Sequence, residues 1–332
     1  MRPFLMLAGF LCATATAFVA EAQDKPVLTV LTYDSFISEW GPGPVIEEVF
    51  ERDCGCDLRF VGAGDGAALL ARLLLEGART EVDVVLGLDT SLTAQAAATG
   101  LFAPHGLPPA PDLPVAYDDP LFTPYDWGWF AFVYDATRLA APPADFVALG
   151  ASDVTILIED PRSSTPGLGL LLWVKAAYGE RASEVWAGLA DNIVTVTPGW
   201  SEAYGMFLEG EADMVLSYST SPAYHVIAEG DVTKEAAPFA EGHYLQIEVA
   251  GRLAGSDQPA LADRFMAFLH SPAVQGTIPE TNWMYPATTS PAGLPLAFDW
   301  LILPVKSLLM SPDEAQAARG PALAEWRAAL AR

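Results

Sequence analysis

Residues 155–178 read TILIEDPRSSTPGLGLLLWVKAAY, and their order decides the fold. Thr155 to Glu159 is a short apolar run stopped by Asp160-Pro161, which predicts a strand. Gly167 to Tyr178 carries apolar residues over three turns and predicts a helix. The hydroxyl residues Ser163, Ser164 and Thr165 stand between them, followed by Pro166. Proline suits the first helical position and Ser or Thr the cap before it, so Thr165 reads as the N-cap. Strand, short loop and capped helix form the repeating half of a βαβ unit, which lays helices on a mostly parallel sheet.

The same order extends in both directions. Upstream, strands are expected at Val27 to Thr32, Leu58 to Val61 and Val82 to Leu88, and helices at Val45 to Arg52, Ala67 to Glu76 and Leu92 to Thr99. Residues 106–120, rich in Pro and Asp, read as loop. Strands follow at Trp129 to Tyr134, Met214 to Tyr218 and Tyr244 to Ala250. Further helices are expected at Arg181 to Asn192 and Leu261 to Leu269, with two in the tail, Pro312 to Arg319 and Pro321 to Ala331. Two sheets laid down in succession, without a Gly/Ser linker or internal repeat, suit the chain's 332 residues.

The first residues read as a leader: Arg2, an apolar stretch from Pro3 to Val19, then Ala20-Glu21-Ala22, with cleavage expected before Gln23. Cys12 follows Leu11, where lipidation asks for a small residue, so an anchored lipoprotein is disfavoured. Loss of residues 1–22 removes one basic and one acidic residue and keeps the net charge at −25. Such an excess of acid excludes phosphate-backbone recognition, so no nucleic-acid partner is expected. The hydrophobic content of 52% excludes intrinsic disorder. A soluble, exported protein of the periplasm is the expectation.

Two cysteines remain, Cys54 and Cys56, flanking Gly55. In an oxidising compartment they can close a small disulfide, and equally they can be two thiols in a surface turn; their spacing leaves both readings open. With four scattered histidines they make no zinc site, so no metal is expected.

In α/β sheets ligands gather at the carboxyl ends of strands. Tyr33 and Trp40 follow the first strand, Asp65 and Gly66 the second, and Ser164-Thr165 the strand ending at Glu159. After Tyr218 comes Ser219-Thr220-Ser221-Pro222-Ala223-Tyr224, where Ser221 reads as a second N-cap before proline. Free amides at helix starts hold anions or hydroxyls. Trp40, Trp200 and Trp283 sit among Gly, Pro and Asn, in loop contexts where rings are available to stack on flat or cationic ligands. A carboxylate such as Asp65 would complement an amino-substituted heterocycle. Physical chemistry thus reaches a planar, positively charged small molecule, phosphorylated or not.

The segments LTYDSF (31–36), WGPGP (40–44), GWSEAYG (199–205), SPAYH (221–225), EGHYLQ (241–246) and NWMYP (282–286) closely resemble the periplasmic thiamine-binding proteins, the receptors of bacterial thiamine ABC importers. The Cys-x-Cys pair and the leader fit the same family. The resemblance implies an α/β, two-lobed type II periplasmic-binding-protein fold that closes on ligand between its lobes. On it, residues 23–126 would begin lobe 1, residues 127–240 form lobe 2, residues 241–280 return to lobe 1, and residues 281–332 supply a cleft segment and helices packing on lobe 2. It also implies thiamine or its mono- or diphosphate as transported ligand, with no cofactor and no catalysis. Importer membrane subunits would be the partner of a monomeric receptor. The family's binding positions fall at Asp65, Gly66, Ser164, Thr165, Trp200 and Tyr218, Ser219, Thr220 and Ser221, with Tyr33, Trp40, Tyr224 and Trp283 beside them. The alternatives are a thiamine-degrading transferase, disfavoured because both remaining cysteines lie outside the expected cleft, and a polyamine or ferric-ion receptor.

Overall fold

Strand β1 (Val27–Thr32) runs through the first hydrophobic layer, with Leu28 and Val30 fully buried. The computed structural model describes residues 25–331, so the expected leader and its cleavage site lie outside the described residues. Helix α1 (Gly43–Cys54), β2 (Asp57–Gly62), α2 (Gly66–Glu76), β3 (Val84–Asp89) and α3 (Thr93–Ala97) complete the winding of lobe 1. Both β2 and β3 pair in parallel with β1. After β4 (Phe122–Asp135) come α4 (Phe146–Gly150), β5 (Ile156–Glu159), α5 (Thr165–Tyr178), α6 (Ala182–Leu189), β6 (Ile193–Thr197), α7 (Trp200–Leu208), β7 (Met214–Tyr218), α8 (Ser221–Tyr224) and β8 (Lys234–Ala236). The chain returns through β9 (His243–Arg252), α9 (Pro259–Phe268), α10 (Pro272–Gln275) and α11 (Ile278–Thr281), and ends in β10 (Tyr285–Pro286), β11 (Ser307–Leu308) and α12 (Pro312–Leu330).

The strands form one path, β2-β1-β3-β9-β4-β7-β5-β6, rather than two separate sheets. The reason is β4, whose 14 residues exceed the strand expected at Trp129 to Tyr134. Its first half, from Phe122 to Trp129, pairs with β9 in lobe 1, and its second half, from Phe130 to Tyr134, with β7 in lobe 2. Pro124 hid the extension, because a proline in a strand reads as a break. Here the register shifts between Pro124 and Asp126, a bulge that tolerates the missing N–H. Two polypeptide lobes therefore share a strand at their joint.

Helix α5 is buried from Thr165 to Val174 without interruption, as its uniform hydrophobicity requires. Trp173 donates its indole N–H to the Gly242 carbonyl at 2.9 Å and packs against Phe146 and Phe239. The tail is one helix, not two: α12 continues through Pro321. Gly320 before it has no Cβ to clash with the pyrrolidine ring, which lowers the usual helix-ending cost. A Ser311/Glu314 capping box starts α12, which packs on α5 and α6 and touches α3. Cys54 and Cys56 are joined by a disulfide at the end of α1. Among the described residues no helix is long and apolar enough to cross a membrane.

Candidate functional site

A cavity of about 340 Å³ opens between the lobes, at the carboxyl ends of β1, β5 and β7. Nine of the thirteen expected positions line it: Tyr33, Trp40 and Asp65 from lobe 1, Thr165, Trp200, Tyr218, Ser221 and Tyr224 from lobe 2, and Trp283 from the segment after α11. The other four stand behind the wall. Ser164, not Thr165, is the N-cap of α5, its hydroxyl accepting from the Gly167 amide at 3.4 Å. Thr165 instead accepts from the Gly66 amide at 2.9 Å, which ties lobe 2 to lobe 1. Ser219 is buried with its hydroxyl unpartnered, and Thr220 reaches the Met284 sulfur at 3.7 Å. Ser221 does not cap either: it begins α8, and its hydroxyl pairs with that of Ser217 at 2.7 Å and accepts from the Tyr218 amide.

Two more contacts cross the cleft. The Trp200 amide donates to Asp65 Oδ2 at 3.2 Å, and Ala68 donates its amide to the Ser163 carbonyl at 3.1 Å. Asp65 is the N-cap of α2. Burial pushes its carboxyl up to about 6, while the Ser164 hydroxyl and the Trp200 amide hold it from rising further.

Trp200 was expected in a loop, yet it is the first residue of α7, a helix that buries Ala203, Tyr204 and Phe207. From that position its indole stacks on Tyr204 at 5.1 Å and donates to the Ser217 hydroxyl at 2.8 Å. Tyr204 in turn stacks on His225, whose Nε2 pairs with the tyrosine hydroxyl at 2.9 Å. Trp40 faces Trp200 at 6.2 Å from the other lobe and stays half exposed. Trp283 is, among the described residues, the one non-glycine residue with positive φ, 55°. This strained backbone brings its indole edge-on to Tyr224 at 5.1 Å.

The floor of the cavity was missed in sequence. It holds Glu248 of β9 and Asn282. Glu248 Oε2 accepts from the Tyr33 hydroxyl at 2.9 Å and from the Tyr125 hydroxyl, and Oε1 accepts from the Gln246 amide at 2.8 Å. Asn282 donates to the Tyr33 hydroxyl at 2.9 Å and to Asp126 Oδ2 at 2.5 Å. The available signal was Gln246-Ile247-Glu248, two polar side chains on one face of the otherwise apolar stretch Leu245 to Ala250. Among the described residues lining the cavity there is no lysine, arginine or histidine. Aromatic walls and carboxylates without a basic residue suit a flat, cationic guest.

Residues 46–281 match the family of bacterial extracellular solute-binding proteins. The chain is 48% identical over 331 residues to a thiamine-binding periplasmic protein of Brucella melitensis, covering 99% of each. It is 50% identical over 311 residues to the thiamine-binding periplasmic protein of Escherichia coli, covering 93% of this chain and 94% of that one. A solved structure of a periplasmic thiamin binding protein is similar at a TM-score of 0.90 and 48% identity, over 97% of this chain and all of that one.

Proposed function

The chain belongs to the bacterial extracellular solute-binding proteins of type II fold, in their thiamine-binding periplasmic branch, and on that footing we propose that it captures thiamine or a thiamine phosphate in the periplasm and hands it to an ABC importer. The observation that carries this reading is the interlobe cavity, whose walls are Trp and Tyr rings and whose charged lining groups are carboxylates alone. Its volume lies at the small end of the usual range for ligand pockets, about 300–1,000 Å³.

In this reading Asp65 accepts hydrogen bonds from the aminopyrimidine, and Tyr224 with Trp283 or Trp200 stacks on the rings. The hydroxyls of Thr165 and Ser221, at the starts of α5 and α8, reach the hydroxyethyl or phosphate end from the cavity wall, with Ser164, Ser219 and Thr220 packed behind them. Export through the leader at residues 1–22 and action as a monomer complete the proposal, with no cofactor and no reaction. Against catalysis stands the bond between Cys54 and Cys56, which leaves no thiol nucleophile among the described residues. Native mass spectrometry of protein purified without refolding tests the ligand by its mass. Calorimetry on ligand-stripped protein then ranks thiamine, its monophosphate and its diphosphate. Absence of heat with all three, alongside binding of spermidine or ferric ion, would overturn the reading.

A further inference from the structure

Three acidic residues meet in one row across the floor of lobe 1. Glu248 of β9 stands directly opposite Asp89 of β3 on one side and Asp126 of β4 on the other, all in antiparallel register. Residues opposite each other in such ladders point to the same face, so the three carboxyls are neighbours, and like charges so placed repel. All three are buried, at 3%, 6% and 0% exposure for Asp89, Glu248 and Asp126.

The groups around Glu248 do not neutralise the row. Tyr33 after β1, Tyr125 of β4 and Gln246 of β9 donate to it, Asn282 donates to Asp126, and Ser91 donates to Asp89. These are neutral donors. Tyr218 of β7 faces the row from lobe 2, and Asp65 is the cavity's other carboxylate. Among the described residues the one cation that bears on the row is Arg319 of α12, which acts on Asp89 and hydrogen-bonds Gln95. Two buried oxygens at the Glu248–Asp126 end, Asp126 Oδ1 and Gln246 Oε1, have no hydrogen-bond partner among the described residues. Burial and mutual repulsion push Glu248 up to about 7 and Asp126 well above the carboxylate range, while burial pushes Asp89 up to about 6. Buried carboxyls this close cannot all ionise without a counter-charge.

We propose that the Asp89–Glu248–Asp126 row is the cation seat of the cleft, and that a cationic heterocycle enters in exchange for a proton which the row holds when the cleft is empty. The inference rests on the cationic ligand of the preceding section and adds what recognises its charge. The exchange balances: a neutral carboxyl of the row releases its proton to solvent, and the carboxylate left behind pairs with the incoming cation. No bond to carbon, nitrogen or sulfur is made or broken. Glu248, the member of the row that lines the cavity, makes the contact, and the charge of Asp89 beside it helps set how firmly the proton is held.

Ligand-stripped protein titrated with thiamine at about pH 6.5, in two buffers of unlike protonation enthalpy, reads the proton directly. The expected result is a difference in heat corresponding to release of close to one proton per thiamine, and an affinity that rises nearly tenfold per pH unit as pH approaches about 7 from below. Glu248→Gln should weaken thiamine at least tenfold and flatten the pH profile. Asp89→Asn should reduce the proton release at this pH and move the rise in affinity to lower pH, because the neighbouring charge that raises Glu248 is gone. Tight thiamine binding with equal heats in both buffers would overturn the proposal and leave the thiamine reading standing; no thiamine heat in the parent protein would overturn that reading instead. The buffer comparison on the parent protein decides even where a variant fails to fold.

Discussion

The Trp200 amide and the Asp65 carboxylate meet at 3.2 Å across the cleft, so a lobe 1 side chain is held by the first turn of a lobe 2 helix. An anion at a helix start is favourable, and the contact forms only when the lobes are together. Asp65→Ala removes both this clasp and the proposed acceptor for the aminopyrimidine, so thiamine affinity should fall at least tenfold by calorimetry. Asp65→Asn, which keeps an acceptor oxygen but no charge, should fall between Ala and the parent. Unchanged affinity in both variants would remove Asp65 from the ligand.

Closure also depends on the absence of a side chain at Gly66. A Cβ there would lie 2.6 Å from Thr165 Oγ1 across the cleft and 2.7 Å from the Gly87 carbonyl behind it. Gly66→Ala must therefore push α2 away from α5 and strain lobe 1 as well. Small-angle scattering should show the parent contracting when thiamine is added and the variant contracting less, with weaker binding. Equal contraction would mean that lobe closure does not run through this contact.

The strand, loop and helix order of 155–178 was legible because local periodicity and capping chemistry are local properties, and Tyr33, Trp40 and Asp65 followed from the rule that strand ends carry ligands. Glu248 was not, because its meaning lies in Asp89 and Asp126 opposite it, residues distant in sequence that only sheet register brings together. Thr165 and Ser221 were misread for a related reason: the sequence offers several adjacent hydroxyls, and tertiary partners decide which one caps and which one bridges. Trp200 looked like a loop residue because Pro198-Gly199 precede it, yet these residues lead into α7. Pro124 and Pro321 each concealed an element that continues, one through a bulge and one through a preceding glycine.

The two facing tryptophans should separate binding from stability. Trp40 is half exposed and its indole donates to no partner among the described residues, whereas Trp200 is stacked on Tyr204 and bonded to Ser217. Trp40→Ala should weaken thiamine by a stacking contribution of about 0.5–2 kcal/mol, or roughly two- to thirtyfold, and leave the melting temperature nearly unchanged. Trp200→Ala should lose affinity and also about 2 kcal/mol of stability in urea unfolding, since a hydrogen bond and a packed ring go together. Equal stability losses in the two variants would contradict this division.

Five buried carboxyls bias the ligand-free protein toward mild acid. Burial raises Asp65 and Asp89 to about 6 and Glu248 to about 7, and lifts Asp126 and Glu159 well above the usual carboxylate range. Between about pH 4 and pH 7 the folded chain retains protons that the unfolded chain has released, so stability falls as pH rises through that window. His243 and His270, kept neutral by burial, act in the opposite sense below about pH 6.5, but they are two against five. Below about pH 4 the trend reverses, because Asp231, lowered to about 2 by bonds from Thr233 and Lys234, gives up its contribution as it takes a proton. Scanning calorimetry of ligand-stripped protein should thus find a higher melting temperature at about pH 5 than at about pH 7.5. Glu159, whose two oxygens are buried without partners, should account for part of the difference, so Glu159→Gln should narrow the gap between the two pH values. A melting temperature that climbs steadily to neutrality, in parent and variant alike, would show that these carboxyls are already ionised in the folded chain.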